Sequence, residues 1–230
     1  MHGDYLPLPE TDLKERPEHA VFWLIDTLMN TKEKITIIAV GPLTNLAMAL
    51  RLEPRITENI EELVIMGGGY LINNIIAGAE FNFWVDPEAA KIVMDSGCKI
   101  CLVPLDATHA AYVSVKDCEE IRASGTPAAV FCADMIQQRM KGYNEWQPMP
   151  VPMTVPVHDA LAVCYLINPD VLESVIHVNV DVVTSVGPAD GMSLLDVEAR
   201  DKTRKPNAYV ARSANRELFI EILKEILGSA

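Results

Sequence analysis

Short apolar runs rich in β-branched residues, each stopped by Gly or Pro, alternate with segments of helical period along the first half of this chain. Ile35-Thr36-Ile37-Ile38-Ala39-Val40 ends at Gly41-Pro42, Leu63-Val64-Ile65-Met66 ends at Gly67-Gly68-Gly69, and Ile100-Cys101-Leu102-Val103 ends at Pro104. Runs that are apolar at every position, not at alternate ones, suit strands covered on both faces, as in a parallel sheet between helix layers. Between the runs, Val21, Leu24, Ile25, Leu28 and Met29 recur at helical spacing, and residues 43–52 read as a second helix. Asp86-Pro87-Glu88 opens a third, with Asp as N-cap and Pro in the first turn, and Gly97 closes it. Strand and helix in alternation imply an α/β fold with right-handed crossovers.

The second half reads as more helical. Helices are expected over 115–123 and 128–140, then an extended loop at 147–156, where four of ten residues are proline. Val157-His158-Asp159 opens another helix through Ile167. Residues 175–183 alternate as a strand, and the turn at Gly187-Pro188-Ala189-Asp190-Gly191 returns it into a second strand near 193–197. Asn215 caps a last helix that ends at Leu227-Gly228. With no internal repeat and no Gly/Ser-rich linker, a single domain over 1–230 is the expectation.

Charge and composition exclude several classes of function. Lys and Arg number 19 against 32 Asp and Glu, a net charge of −13, which disfavours nucleic-acid backbones and anionic membrane surfaces as partners. Half the residues are hydrophobic, too many for a disordered chain. No stretch approaches the ~18 apolar residues of a membrane span. Met1-His2-Gly3-Asp4-Tyr5 has no basic segment leading into an apolar one, so no secretory signal is expected. The cysteines, at 98, 101, 118, 132 and 164, are odd in number and several sit in apolar runs; they read as thiols in a reducing cytoplasm. Cys98-x-x-Cys101 lacks the second pair a zinc site needs.

Three polar clusters fall at strand ends or helix starts, where open α/β sheets build their sites. Val40-Gly41-Pro42-Leu43-Thr44-Asn45 is a strand end running into a helix. Gly67-Gly68-Gly69 permits close backbone approach, and Asn74, Glu80 and Asn82 follow. If 80–82 is extended, Glu80 and Asn82 share a side, and a carboxylate beside an amide suits a vicinal diol; the alternative is a loop with helix-capping residues. In His158-Asp159 the aspartate is either a helix cap or a ligand to a hard cation, and the histidine is a candidate proton donor. His109, in Asp106-Ala107-Thr108-His109, reads as a satisfied polar residue that ties loops together. Phosphate loops, GxGxxG, GxSxG and HExxH are absent from the sequence.

In this order, GPLTN (41–45), MGGGY (66–70), AEFNFWVDPEAA (79–90), LDATH (105–109) and VPVHDALAV (155–163) closely resemble the inosine/uridine-preferring nucleoside hydrolases, over nearly the whole chain. The resemblance implies hydrolysis of the N-glycosidic bond of ribonucleosides to base and ribose through an oxocarbenium-like transition state. It also implies an open, mostly parallel Rossmann-like sheet flanked by helices, one Ca2+ that binds the ribose hydroxyls and the attacking water, and a homo-oligomer. Carried over by position, Asp159 and the backbone carbonyl of Val40 are metal ligands. Met66, Asn74, Glu80 and Asn82 form the ribose set. His158 is the leaving-group acid, and His2, Tyr143 and Trp146 lie on the base side, the last two on a loop that closes over it.

The family opens on a strand that ends in D-x-D-x-x-x-D-D, which supplies most calcium carboxylates and the general base, and this sequence has nothing like it. Met1 falls where the family's HG segment begins, so the N-terminal strands are expected to be missing, with a sheet edge left open. Asp159 and Val40 are a small part of the 6–8 oxygens that Ca2+ takes. A non-catalytic remnant that keeps the ribose-side residues, binding nucleosides or other subunits, is the competing expectation.

Overall fold

The computed structural model describes residues 11–229. In chain order the helices are α1 (Ala20–Asn30), α2 (Thr44–Leu52), α3 (Phe81–Val85), α4 (Pro87–Met94), α5 (Leu105–Ala110), α6 (Val115–Arg122), α7 (Pro127–Trp146), α8 (His158–Ile167) and α9 (Arg216–Ser229). The strands are β1 (Ile35–Ala39), β2 (Ile60–Met66), β3 (Ile100–Val103), β4 (Tyr112–Ser114), β5 (Thr154–Pro156), β6 (Leu172–Glu173), β7 (Ile176–Val178), β8 (Val180–Val182), β9 (Ser193–Leu195), β10 (Ala208–Val210) and β11 (Ser213–Ala214). The chain divides into two compact units: a sheet unit of 15–106 and 174–212, and a helical unit that includes 107–173 and 213–229.

In the sheet unit, five strands run in the order β1-β2-β3-β10-β7. The first four are parallel, with Ile38 opposite Val64 and Val64 opposite Cys101, and β7 closes the far edge antiparallel to β10. The expected mostly parallel sheet is therefore present. Leu63, Val64 and Ile65 in β2 and Leu102 and Val103 in β3 are wholly buried, which is why those runs show no polar alternation. Helices α1, α2 and α4 pack Val21, Leu28, Leu46, Leu50, Ala90 and Val93 into the same core. Asp86 caps α4 by accepting from the Ala89 N–H at 3.0 Å, as its Asp-Pro start predicts. β1 pairs with β2 alone among the described strands, and its five residues are only half-buried.

Residues 175–183 do not form one strand. β7 joins the main sheet, whereas β8 pairs with β9 in a separate hairpin. The break is held by Asn207, whose Oδ1 accepts from the Val180 N–H at 2.8 Å and whose Nδ2 donates to the carbonyls of Val180 and Met94.

In the helical unit, α6, α7 and α8 pack with α9, beside the two-stranded pairs β4–β5 and β6–β11. Ser114 and Asp117 form a capping box at α6, and Arg216 bonds the Asp117 carboxylate and the Tyr112 carbonyl. Asn215 caps α9 as expected, accepting from the Leu218 N–H at 3.1 Å. Helix α7 runs to Trp146, six residues beyond the expected end, and the proline-rich stretch finishes in β5 against β4. Among the described residues, no helix is long and apolar enough to cross a membrane.

Candidate active site

The carboxyl ends of β1, β2 and β3 lead into Val40, Gly67-Gly68-Gly69 and Pro104-Leu105-Asp106. Val40 is exposed just past β1. Asp106 pins the loop after β2, accepting from the Tyr70 N–H at 2.7 Å and the Leu71 N–H at 2.9 Å with its two oxygens. Gly68 has φ +69°, and a Cβ at Gly69 would lie 2.0 Å from the Ile72 carbonyl oxygen, so this loop requires glycine at both positions. The buried Ser193 hydroxyl donates to the Gly69 carbonyl at 2.6 Å and accepts from its N–H at 3.0 Å.

Four of the expected ribose residues come together here. Glu80, 2 % exposed, accepts from the backbone N–H groups of Gly68 at 2.9 Å, Asn82 at 2.8 Å and Phe83 at 3.2 Å. Asn82 donates from Nδ2 to the Met66 carbonyl at 3.0 Å, and Asn74 Oδ1 accepts from the Phe81 N–H at 2.9 Å. Of the two alternatives for 80–82, extended or helix-capping, the structure has the capping one: residues 81–85 form helix α3 and Glu80 is its N-cap. The capping carboxylate satisfies orphan N–H groups at the helix start, which outweighs the strand-like alternation of Phe81, Phe83 and Val85.

The helical unit gathers a second group. His158 opens α8, and Asp159 follows it. Asp159 does not cap the helix: the N-cap is Val157, with no side-chain cap bond. The Thr108 hydroxyl lies 2.7 Å from His158 Nδ1. The rings of His109 and Tyr143 lie 5.8 and 6.3 Å from that of His158. The Tyr143 hydroxyl donates to Gln147 Oε1 at 2.9 Å, so in its 3.1 Å bond with His109 Nε2 the imidazole is the donor. His109 thus ties α5 to α7, a tie between helices and not between loops. Tyr143 and Trp146 are in the last turns of α7, not on a loop; Tyr143 is buried, Trp146 is exposed. His2 lies outside the described residues.

Electrostatics keep this group neutral at its centre. Burial, with the charges of His109 and Arg139, pushes the His158 pKa down to about 3. Burial lifts Tyr143 to about 12 against the opposing pull of Arg139. Asp159 keeps an exposed surface, yet the protein around it raises its carboxyl pKa, with Arg139 opposing. A cavity of about 170 Å³ is lined by Met135, Ile136, Arg139, Val155, Pro156, Val157, His158 and Asp159. Sequence reading passed over Arg139 and Thr108. Arg139 sits one helical turn before Tyr143, a spacing that alone describes any solvated helix face.

Calcium does not fit the described residues. Among them, no group of three or more His, Cys, Asp or Glu side chains is placed to hold a metal ion, so Asp159 and the Val40 carbonyl are not joined by the carboxylates such a cation takes. Cys98 and Cys101 are not joined in a disulfide, and burial raises the pKa of Cys98.

A sequence profile described as inosine-uridine preferring nucleoside hydrolase matches residues 1–221. The chain is 33% identical over 233 residues to the pyrimidine-specific ribonucleoside hydrolase RihA of Salmonella typhimurium, covering 99% of this chain and 73% of that protein. It is 38% identical over 179 residues to the pyrimidine-specific ribonucleoside hydrolase RihB of Shigella flexneri, where the match covers 77% of this chain and 56% of that protein. Among solved structures it resembles a plant nucleoside hydrolase, PpNRh1 (TM-score 0.87, 26% identity, all of this chain and 72% of that one). It also resembles a purine-preferring ribonucleoside hydrolase from Gardnerella vaginalis (TM-score 0.84, 29% identity, 96% of this chain and 70% of that one). The chain thus spans between about half and three quarters of the length of these relatives.

Proposed function

The chain belongs to the inosine-uridine preferring nucleoside hydrolase family, and from that premise we propose that it acts on the N-glycosidic bond of ribonucleosides, releasing base and ribose. The observation that carries this reading is His158, held at Nδ1 by Thr108 and lining a cavity beside Asp159. When the Thr108 hydroxyl donates to Nδ1, the ring proton sits on Nε2. A neutral imidazole then presents an N–H to the departing base nitrogen, whose basicity rises as the glycosidic bond breaks. Within the sheet unit, Met66, Asn74, Glu80 and Asn82 are the residues that the family resemblance assigns to ribose, and a carboxylate with two amides offers the acceptors and donors that sugar hydroxyls take. Their backbone bonds hold them in place before substrate arrives, so little ordering is left for the transition state. Calcium is the metal the family implies. The described residues do not hold it, and no step here runs through it. A location in the cytoplasm and self-association belong to the same proposal.

That no carboxylate cluster occurs among the described residues favours one second reading, a chain that binds ribonucleosides without cleaving them. Reducing-sugar release from inosine and uridine, with and without added Ca2+, separates the two. The hydrolase reading expects release that falls at least ~100-fold in His158→Ala, the scale of a lost general acid, and that Asp159→Ala also depresses. No release from the wild-type chain, with thermal stabilisation by ribose and none by Ca2+, would establish the binding reading instead.

A further inference from the structure

Among the described residues of the helical unit, Arg139 is a cation whose bonding is incomplete. Arg139 Nη1 is shut off from solvent and has no hydrogen-bond acceptor. Buried guanidinium N–H groups are ordinarily paired, because stripping water from a charged donor is costly unless an acceptor replaces it. The guanidinium rests over the Tyr143 ring, 5.2 Å from its centroid, which steadies the charge but accepts no conventional hydrogen bond. Arg139 is also a wall of the 170 Å³ cavity it shares with His158 and Asp159. Because Nη1 is shut off from solvent, an N–H of this guanidinium meets an acceptor in that cavity only if the group turns toward it.

The cavity's chemistry narrows what that acceptor is. Its volume is below the roughly 300–1,000 Å³ of a pocket for a whole drug-sized ligand, so it takes one flat ring and not an entire nucleoside. Met135, Ile136, Val155 and Pro156 offer apolar surface to ring faces. The Asp159 carboxylate on the same wall repels a free anion. What remains is a neutral ring bearing a carbonyl oxygen. We infer that Arg139 is a specificity residue that donates to the exocyclic carbonyl oxygen of the departing base, selecting oxo-bases over amino-bases. An amino group at that position is itself a donor, and it would leave the guanidinium unpaired and face it with a second N–H.

This inference rests on the hydrolase reading for its kinetic test, so binding is measured beside it. Inosine and adenosine differ at one ring substituent, carbonyl against amine. The wild-type chain is expected to favour inosine in kcat/KM, and Arg139→Met to lower inosine turnover about 100-fold, the scale of a lost transition-state donor, while adenosine changes little. Arg139→Lys keeps the charge without the planar fork and should fall between them. An inosine-to-adenosine ratio unchanged in both variants, each shown folded by its circular dichroism, overturns the inference. If the wild type hydrolyses neither of these, uridine assayed beside them decides the hydrolase reading, and calorimetry with free hypoxanthine and adenine decides this one. Hypoxanthine binding lost in Arg139→Met with adenine unaffected upholds it. Equal binding of the two bases, or binding of neither, overturns it.

Discussion

Thr108 is nearly inaccessible to solvent, at 1 % exposure, and its hydroxyl reaches one nitrogen of the His158 ring. A buried imidazole has two nitrogens with different needs, and the bond at Nδ1 decides which carries the proton. Thr108→Val keeps the volume and removes the hydroxyl, leaving His158 Nδ1 without this partner. We expect a loss of about 1 kcal/mol in unfolding free energy. If His158 is the leaving-group acid, kcat falls with little change in KM, and Thr108→Ser restores most of it; a change in stability alone would show Thr108 to be structural only. His158 and Asp159 stand out in the sequence as a polar pair after a proline-rich loop. Thr108 does not, because it lies fifty residues away and only folding brings it to the ring.

At the scale of elements, the loop from β2 to α3 is the part most tightly specified. Asp106, Ser193 and Glu80 hold its backbone from three directions. Gly69→Ala places a methyl group into the Ile72 carbonyl, which backbone alone can relieve. We expect destabilisation of about 3 kcal/mol, at the upper end of overpacking effects, read as a lower midpoint in urea with unchanged slope. Glu80→Gln tests the cap: an amide has one acceptor oxygen where the carboxylate has two, so N–H groups at the start of α3 lose a partner. A cost of about 1–2 kcal/mol follows, measurable by the same denaturation. The three glycines were legible as a close-approach loop. Helix α3 was not, because five residues are too few for helical period to show against an alternating Phe-x-Phe-x-Val. β8 was merged with β7 for a similar reason: Val175–Val183 alternates throughout, and the break comes from the distant Asn207.

For the whole molecule, the −13 charge makes ion pairing in the sheet unit a question of pH. Asp181 in β8 bonds Lys91 of α4 and Arg204. Burial raises its carboxyl pKa, but those two cations outweigh it and hold the group at about 2, below the ordinary 3.8. A carboxyl depressed in the folded state stabilises fully above its unfolded pKa, and the contribution is lost as pH falls through the folded value. Asp181→Asn should therefore lower the melting temperature above about pH 4 by the equivalent of ~1 kcal/mol, less in high salt because the cations are partly exposed. The gap to wild type should close as pH approaches about 2; a gap independent of pH would mean the side chain acts through packing alone. The parallel sheet, its buried strands and the capped starts of α4 and α9 follow from local patterns, since burial on two faces and helix caps leave their mark within a few residues. The gathering of Thr108, His109 and Tyr143 about the His158 ring, with Arg139 against Tyr143, does not, because partners tens of residues apart are chosen by packing. Periodicity records which face of an element is buried, and hydrogen bonds between distant side chains exist only once those faces have met.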